Sequence, residues 1–281
     1  MTTAYARVGG LDADEPRARF LDLVAAEWIK LRSLRSTWIA YGATALAVVA
    51  FNAGTAYDTY NYWPERSAAD QADYVRAGIP LQEAFTANAA MVMMLALGAI
   101  GAVAITGEYS TGTIRTTFAA VPARRSVMAA KAWVVTAVAT VFGAIVAGAS
   151  FGVTQAILDG RGAGISLSYP GALRVVVASA LLAPVCAVVG MAIGSVVRLT
   201  SATMIASVVV ILVLPIVLDD GRHWSAVAGH ATLYQAWLRL VEVGSPRTDF
   251  PWTTGGAWTV YVVWALTAAV LAVTSAQRRD Q

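Results

Sequence analysis

The chain has 281 residues, 58% of them hydrophobic and 13% charged, with a mean hydropathy of +0.62. A soluble domain carries about 25% charged residues, so a water-soluble globule of this composition would lack the polar surface to cover its core, and the chain falls in the membrane class. The net charge of +3 comes from cations scattered in short segments between apolar runs, which speaks against a nucleic-acid-binding face.

In chain order, a charged leader comes first, over residues 1–36. Its stretch RARFLDLVAAEWIKLRSLRSTW, Arg17 to Trp38, repeats Phe20, Val24, Trp28 and Leu31 at helical spacing on one face. With Trp28, Lys30, Arg32 and Arg35 placed to meet headgroups, this predicts an interfacial helix. The first apolar run begins near residue 37 and is too long for a signal-peptide core, so it reads as a signal anchor. A hydrocarbon core of about 30 Å needs roughly 20 apolar residues per helix. Six stretches qualify: Thr37–Tyr57, Ala84–Thr106, Ala132–Ile157, Val175–Val197, Leu199–Leu218 and Ala257–Ala276. They predict an all-α integral membrane protein, a single transmembrane domain with a six-span bundle over 37–276 and a short tail over 277–281.

The fourth and fifth spans form one apolar block, so the chain must turn back at Arg198. Pro184 and Pro215 are expected to kink these helices, with neighbours satisfying the freed carbonyls. Gly148/Gly152 and Gly190/Gly194 have the GxxxG spacing of close helix contacts, within the subunit or at a dimer face. Cys186, the single cysteine, sits in an apolar run and reads as a small buried hydrophobe.

Orientation follows from the 20 Lys and Arg. The leader, the segment Gly107–Lys131, Arg198 and the tail hold 13 of them; the opposite loops hold Arg66, Arg76, Arg161, Arg174, Arg222, Arg239 and Arg247, and there acids outnumber bases. Both termini and the segment 107–131 are therefore expected in the cytoplasm.

That segment, GEYSTGTIRTTFAAVPARR, is the most pointed in the chain. Ile114, Phe118 and Val121 recur at i, i+4, i+7 and predict one helix over Ser110–Val121, stopped by Pro122. Arg124, Arg125 and Lys131 are then expected to anchor the re-entry at the phosphate level. The helix is either tucked under the bundle or presented to a soluble partner whose movement it passes to spans two and three. Between spans five and six, Trp224–Val243 predicts short amphipathic helices, lying on the outer leaflet or capping their own spans. Asn88, Met91 and Met94 on span two, and Ser201, Met204 and Ser207 on span five, either line a path for an amphipathic compound or are packing residues. Asp219, Asp220, His223 and His230 are the nearest approach to a metal cluster, and a solvated turn accounts for them; no metal is expected.

No ionisable residue lies in the core of any assigned span, which argues against an ion-driven carrier. The sequence also lacks a Gly-x-x-x-x-Gly-Lys-[Ser/Thr] phosphate loop: Lys30 and Lys131 sit in Trp-Ile-Lys-Leu and Ala-Ala-Lys-Ala contexts. Uphill transport would need energy from another chain, and no catalytic constellation is visible.

Gly107-Glu108-Tyr109-Ser110-x-Gly112-Thr113-Ile114-Arg115, followed by Pro122-x-Arg124-Arg125 and Lys131, resembles the first cytoplasmic loop of bacterial type-2 ATP-binding-cassette (ABC) permeases. The leader's Glu27-x-x-Lys30-Leu31-x-Ser33-x-Arg35-Ser36-x-x-Trp38 looks like that family's N-terminal signature. The resemblance implies a plasma-membrane permease, a homodimer or a pair with a paralogue, bound to two separate ATPase subunits that carry ATP and Mg while this chain carries no cofactor. It also implies export, and a coupling helix seated in the ATPase, with Glu108, Tyr109, Gly112, Thr113, Ile114, Arg115 and Phe118 as the coupling residues. A membrane accessory or immunity-type protein that docks a partner without transporting is the alternative that the residues leave open.

Overall fold

The structure, a computed structural model, describes residues 19–218, 222–243 and 250–275. Expectations that fall on Arg7, Arg17, Asp219, Asp220, Arg247, Arg278 and Arg279 lie outside the described residues. The described residues are 85% helical with no strand among them, and six of their helical stretches are long and apolar enough to cross a membrane.

Helix α1 (Phe20–Ser33) leads through Leu34 into α2 (Arg35–Tyr62), the first span. Short helices α3 (Ala68–Arg76) and α4 (Ile79–Glu83) connect to α5 (Ala87–Thr111), the second span. Then come α6 (Thr113–Ala120), α7 (Arg124–Asp159) and α8 (Ala172–Val197). The fifth span is α9 (Thr200–Val208), a π-turn over Val209–Val213 and α10 (Leu214–Val217). Helices α11 (His223–His230) and α12 (Leu233–Val241) precede the last span, α13 (Thr254–Thr274).

Local chemistry sets the boundaries. The Thr86 hydroxyl accepts from the Ala89 N–H and starts α5. Gly112 ends it at φ +74°, a left-handed conformation that is strained for a residue with a β-carbon. This break corrects the expected single helix over Ser110–Val121: the second span runs on to Thr111, and a separate, shorter helix starts at Thr113. The third span likewise begins earlier than expected. Arg124 and Arg125 form its first turn, and Lys131 lies two turns inside it.

The core is built around α8, which packs against α5, α7, α9 and α13. Small residues let these backbones meet. A β-carbon on Gly101 would lie 1.8 Å from the Ala187 carbonyl oxygen, and one on Gly190 would lie 1.9 Å from the Gly98 oxygen. Gly190 and Gly194 thus pack inside the subunit, whereas Gly148 and Gly152 have nothing within 4 Å of a built β-carbon. Pro184 has no N–H to offer the Ala180 carbonyl one turn earlier. Gly143 of α7 closes on that oxygen, within 2.1 Å of where its β-carbon would stand. In the fifth span the π-turn immediately precedes Pro215, absorbing the mismatch that a missing N–H creates.

The chain reverses at Arg198 as expected, with a left-handed φ of 61° unusual for a residue other than glycine. Of the two readings of the segment before the last span, α12 takes the second. Leu233, Ala236, Trp237 and Leu240 are buried against α8 and α13, and Trp237 Nε1 donates to Ser179 Oγ at 3.2 Å.

Candidate functional site

At the end of the bundle where α1 and α6 lie, four charged side chains from three helices converge. Glu27 and Lys30 come from α1, Glu108 from the last turns of α5, and Lys131 from α7. Lys30 Nζ donates to Glu27 Oε1 at 2.7 Å and to Glu108 Oε1 at 3.2 Å. Lys131 Nζ donates to Glu108 Oε1 at 2.8 Å and also to Glu27 Oε2. Glu27 and Lys131 are only 5% and 4% exposed, so the pair is a buried one that needs both partners. Burial lowers the Lys30 ammonium's pKa, but the hydrogen bond and charge of Glu27, with those of Glu108, outweigh it and hold Lys30 above its ordinary value.

This cluster corrects one expectation. Lys131 does not anchor the chain at lipid phosphates: it is enclosed by protein and neutralises two carboxylates. Against the bundle α1 buries Leu23, Glu27 and Leu31, which leaves Phe20 and Trp28 of the expected interfacial stripe about half exposed. Glu27 carried no role in the sequence reading beyond its place in the leader signature. Its signal was there in the context Ala-Ala-Glu-Trp-Ile: an acid at i+4 from Leu23 and i−4 from Leu31 shares their face and needs a cation inside.

Gly112 reverses the chain so that α6 folds back under the bundle. Ile114 is buried, and Phe118 packs with Leu23 and Val127, with the Arg124 guanidinium carbon 5.3 Å above its ring. The apolar stripe of α6 therefore fills the underside of the bundle. Thr113, Arg115, Thr116, Ala119 and Ala120 remain exposed on the other face. Beside α6 a cleft of about 480 Å³ is bordered by Tyr109, Arg115, Phe118, Arg124 and Arg198. Arg198 ties three elements here, its guanidinium carbon 5.0 Å over the Tyr109 ring and its Nη2 donating to the Ser275 carbonyl at 3.3 Å.

Of the other expected anchors, Arg32, Arg35 and Arg125 are exposed at this same end, and Trp28 meets Trp38 edge-on with ring centres 6.4 Å apart. The polar and methionine residues of the two candidate path helices do not form one open face. Asn88 and Ser201 are exposed and Met91 and Met204 half-buried, but Met94 and Ser207 are enclosed within the chain and act as packing residues. His223 packs on Phe250 and His230 stacks on Trp252, and among the described residues no group of three His, Cys, Asp or Glu is placed to hold a metal.

A family model described as "ABC-2 family transporter protein" matches residues 23–218, which span α1, the four-charge cluster, α6 and the first five spans. No curated protein matches the chain.

Proposed function

The chain belongs to the ABC-2 transporter family and is a multi-pass membrane permease component of an ABC transporter, and we propose that it serves an exporter driven by two separate ATPase subunits. It works as a homodimer or beside a paralogous permease, in a bacterial plasma membrane, with both termini and α6 in the cytoplasm. The bias of Lys and Arg toward the α6 end supports that orientation. ATP and Mg reside on the ATPase, which agrees with a sequence that offers no phosphate loop.

The observation that carries the coupling role is the two-sidedness of α6. Its apolar face is consumed by the underside of the bundle, and its Thr- and Arg-bearing face is left outward. An ATPase cleft that grips the outward face would move α6 as a rigid piece. Gly112 is the hinge, and α5 and α7, joined through Glu108–Lys131, are the helices that follow.

The test is co-purification with a cognate ATPase, then MgATP hydrolysis by the reconstituted complex across a panel of amphipathic compounds. Stable association with compound-stimulated hydrolysis is expected. Association with hydrolysis indifferent to every compound and to this chain would favour the accessory reading instead.

A further inference from the structure

Next to the four-charge cluster, a pocket of about 440 Å³ opens between α1, the start of α2, α5 and α7. Its foot is polar, formed by Glu27, Lys30, Glu108 and Lys131, and its upper wall is apolar, with Tyr41, Ile100, Val103 and Val134. Val103 is 44% exposed, so the wall is open at the side. On the other side of Tyr41 and Val134 a second groove of about 440 Å³ carries Trp28, Trp38 and Trp133. Tryptophans gather where hydrocarbon gives way to headgroups, so this end of both grooves stands at headgroup depth.

The donors and acceptors at the foot do not balance. Glu27 uses both carboxylate oxygens, one for each lysine. Glu108 Oε1 takes both lysines, while Glu108 Oε2 is buried with no hydrogen-bond partner. Lys30 has three donors, uses two of them, and its side chain is 40% exposed. The adjoining first turn of α2 has no side-chain cap, so its N–H groups and the helix dipole favour negative charge there. The foot therefore lacks one N–H donor for Glu108 and one anionic acceptor for Lys30. Two carboxylates and two ammonium groups sum to zero, so neither a bare anion nor a bare cation is favoured over the other.

We infer that this pocket binds an aminophospholipid from the leaflet at the α1/α6 end. The headgroup phosphate accepts from Lys30 and faces the start of α2. The primary ammonium donates to Glu108, whose carboxylate must turn about its soft last torsion to bring the buried Oε2 to the pocket, and an acyl chain lies along Ile100 and Val103. A choline headgroup has the same charges but no N–H, so it leaves Glu108 Oε2 unsatisfied. A glycerol headgroup brings the phosphate without the cation. The permease reading decides only which leaflet supplies the lipid, namely the cytoplasmic one.

The test is lipid retention. The full chain, without ATPase, is reconstituted in vesicles of equal phosphatidylethanolamine, phosphatidylcholine and phosphatidylglycerol, re-extracted, and its bound lipid counted by native mass spectrometry. Loss of a charge-assisted hydrogen bond corresponds to about tenfold in affinity or more, so the ethanolamine lipid should be enriched about tenfold over choline. Glu108→Gln should bring that ratio toward one. Val103→Trp, at an exposed position, should expel lipid of all three kinds while leaving the charged foot untouched.

Equal retention of the three lipids overturns the inference, as does preference for phosphatidylglycerol or an ethanolamine preference that survives Glu108→Gln. So does a Val103→Trp chain that keeps its lipid but loses self-association, since a second copy would then cover this face. Any of these leaves the permease reading standing, because no ATPase enters the measurement.

Discussion

Lys131 of α7 and Glu27 of α1 stand 104 positions apart in the chain and share an ion pair that solvent scarcely reaches. The pair docks the leader helix onto the third span, and through Glu108 it also fastens the end of the second. Removing the Lys131 cation alone leaves Glu27 and Glu108 to share the partly exposed Lys30, with Glu27 Oε2 buried and unpartnered. Losing one member of a buried pair costs about 3–5 kcal/mol, so Lys131→Ala should lower the unfolding temperature of the detergent-solubilised protein sharply. The double substitution Glu27→Gln with Lys131→Met removes both charges and should recover much of that loss. A Lys131→Ala chain that unfolds like the wild type would show that α1 is held by packing alone.

Gly101 and Gly148 offer a matched comparison. A methyl at Gly101 meets the Ala187 carbonyl, and one at Gly148 meets nothing within 4 Å. Gly101→Ala must therefore push α5 off α8, with an overpacking cost of about 1–3 kcal/mol. Gly148→Ala should leave stability unchanged or raise it by up to about 1 kcal/mol, the preference of a helix interior for alanine over glycine. Thermal unfolding of the two variants side by side checks this. Equal losses would mean that Gly148 contacts a second copy, making α7 a dimer face.

The spans were legible because a bilayer demands long apolar runs, and the turn at Arg198 was legible because one block was too long for one span. Three features were not. Ile114 and Phe118 gave the correct apolar face, but the periodicity carried straight through Gly112; only the backbone shows that Gly112 turns left-handed and divides the helix. Lys131 has the sequence position of an anchor, because cations near span ends usually reach headgroups; its two acids lie 23 and 104 positions away. Met94 and Ser207 had the polarity and spacing of a path, and enclosure depends on how α5 and α9 pack against each other, which neither segment records alone.

Arg198 holds a left-handed backbone while its guanidinium reaches Tyr109 and Ser275. Substitution separates the two roles. Arg198→Ala and Arg198→Gly both lose the guanidinium contacts, but only alanine keeps the strain, since glycine adopts positive φ freely. Arg198→Ala should be the less stable of the two by about 1 kcal/mol. Equal stabilities would indicate that the turn has relaxed to a different conformation once the side chain is gone.

Topology is open to chemical labelling. In a Cys186→Ala background, a cysteine at the exposed position Ala69 should react with an impermeant maleimide in intact cells. A cysteine at the exposed position Arg125 should react only after permeabilisation. The reverse pattern would place α6 outside and remove its access to any cytoplasmic ATPase.

The two faces of α6 make different predictions for coupling. Phe118 packs inward with Leu23 and Val127, so Phe118→Ala should cost about 2 kcal/mol of stability and lower the unfolding temperature of the isolated chain. Arg115 and Ala119 point outward, and variants there should leave that temperature unchanged. If the ATPase grips this face, Arg115→Glu should weaken association by about 25-fold, the equivalent of a 2 kcal/mol hot spot, and Ala119→Trp should obstruct it sterically. Glu108→Gln weakens the tie between α5 and both lysines without touching the outward face. It should leave assembly intact and lower the compound-stimulated part of hydrolysis, because movement of α6 is passed less firmly to α7. Pull-down affinity, unfolding temperature and stimulated hydrolysis, measured on the same four variants, keep these effects apart. Normal assembly of both outward variants, with loss of binding in a Phe118→Ala chain of undiminished stability, would reverse the assignment of the two faces.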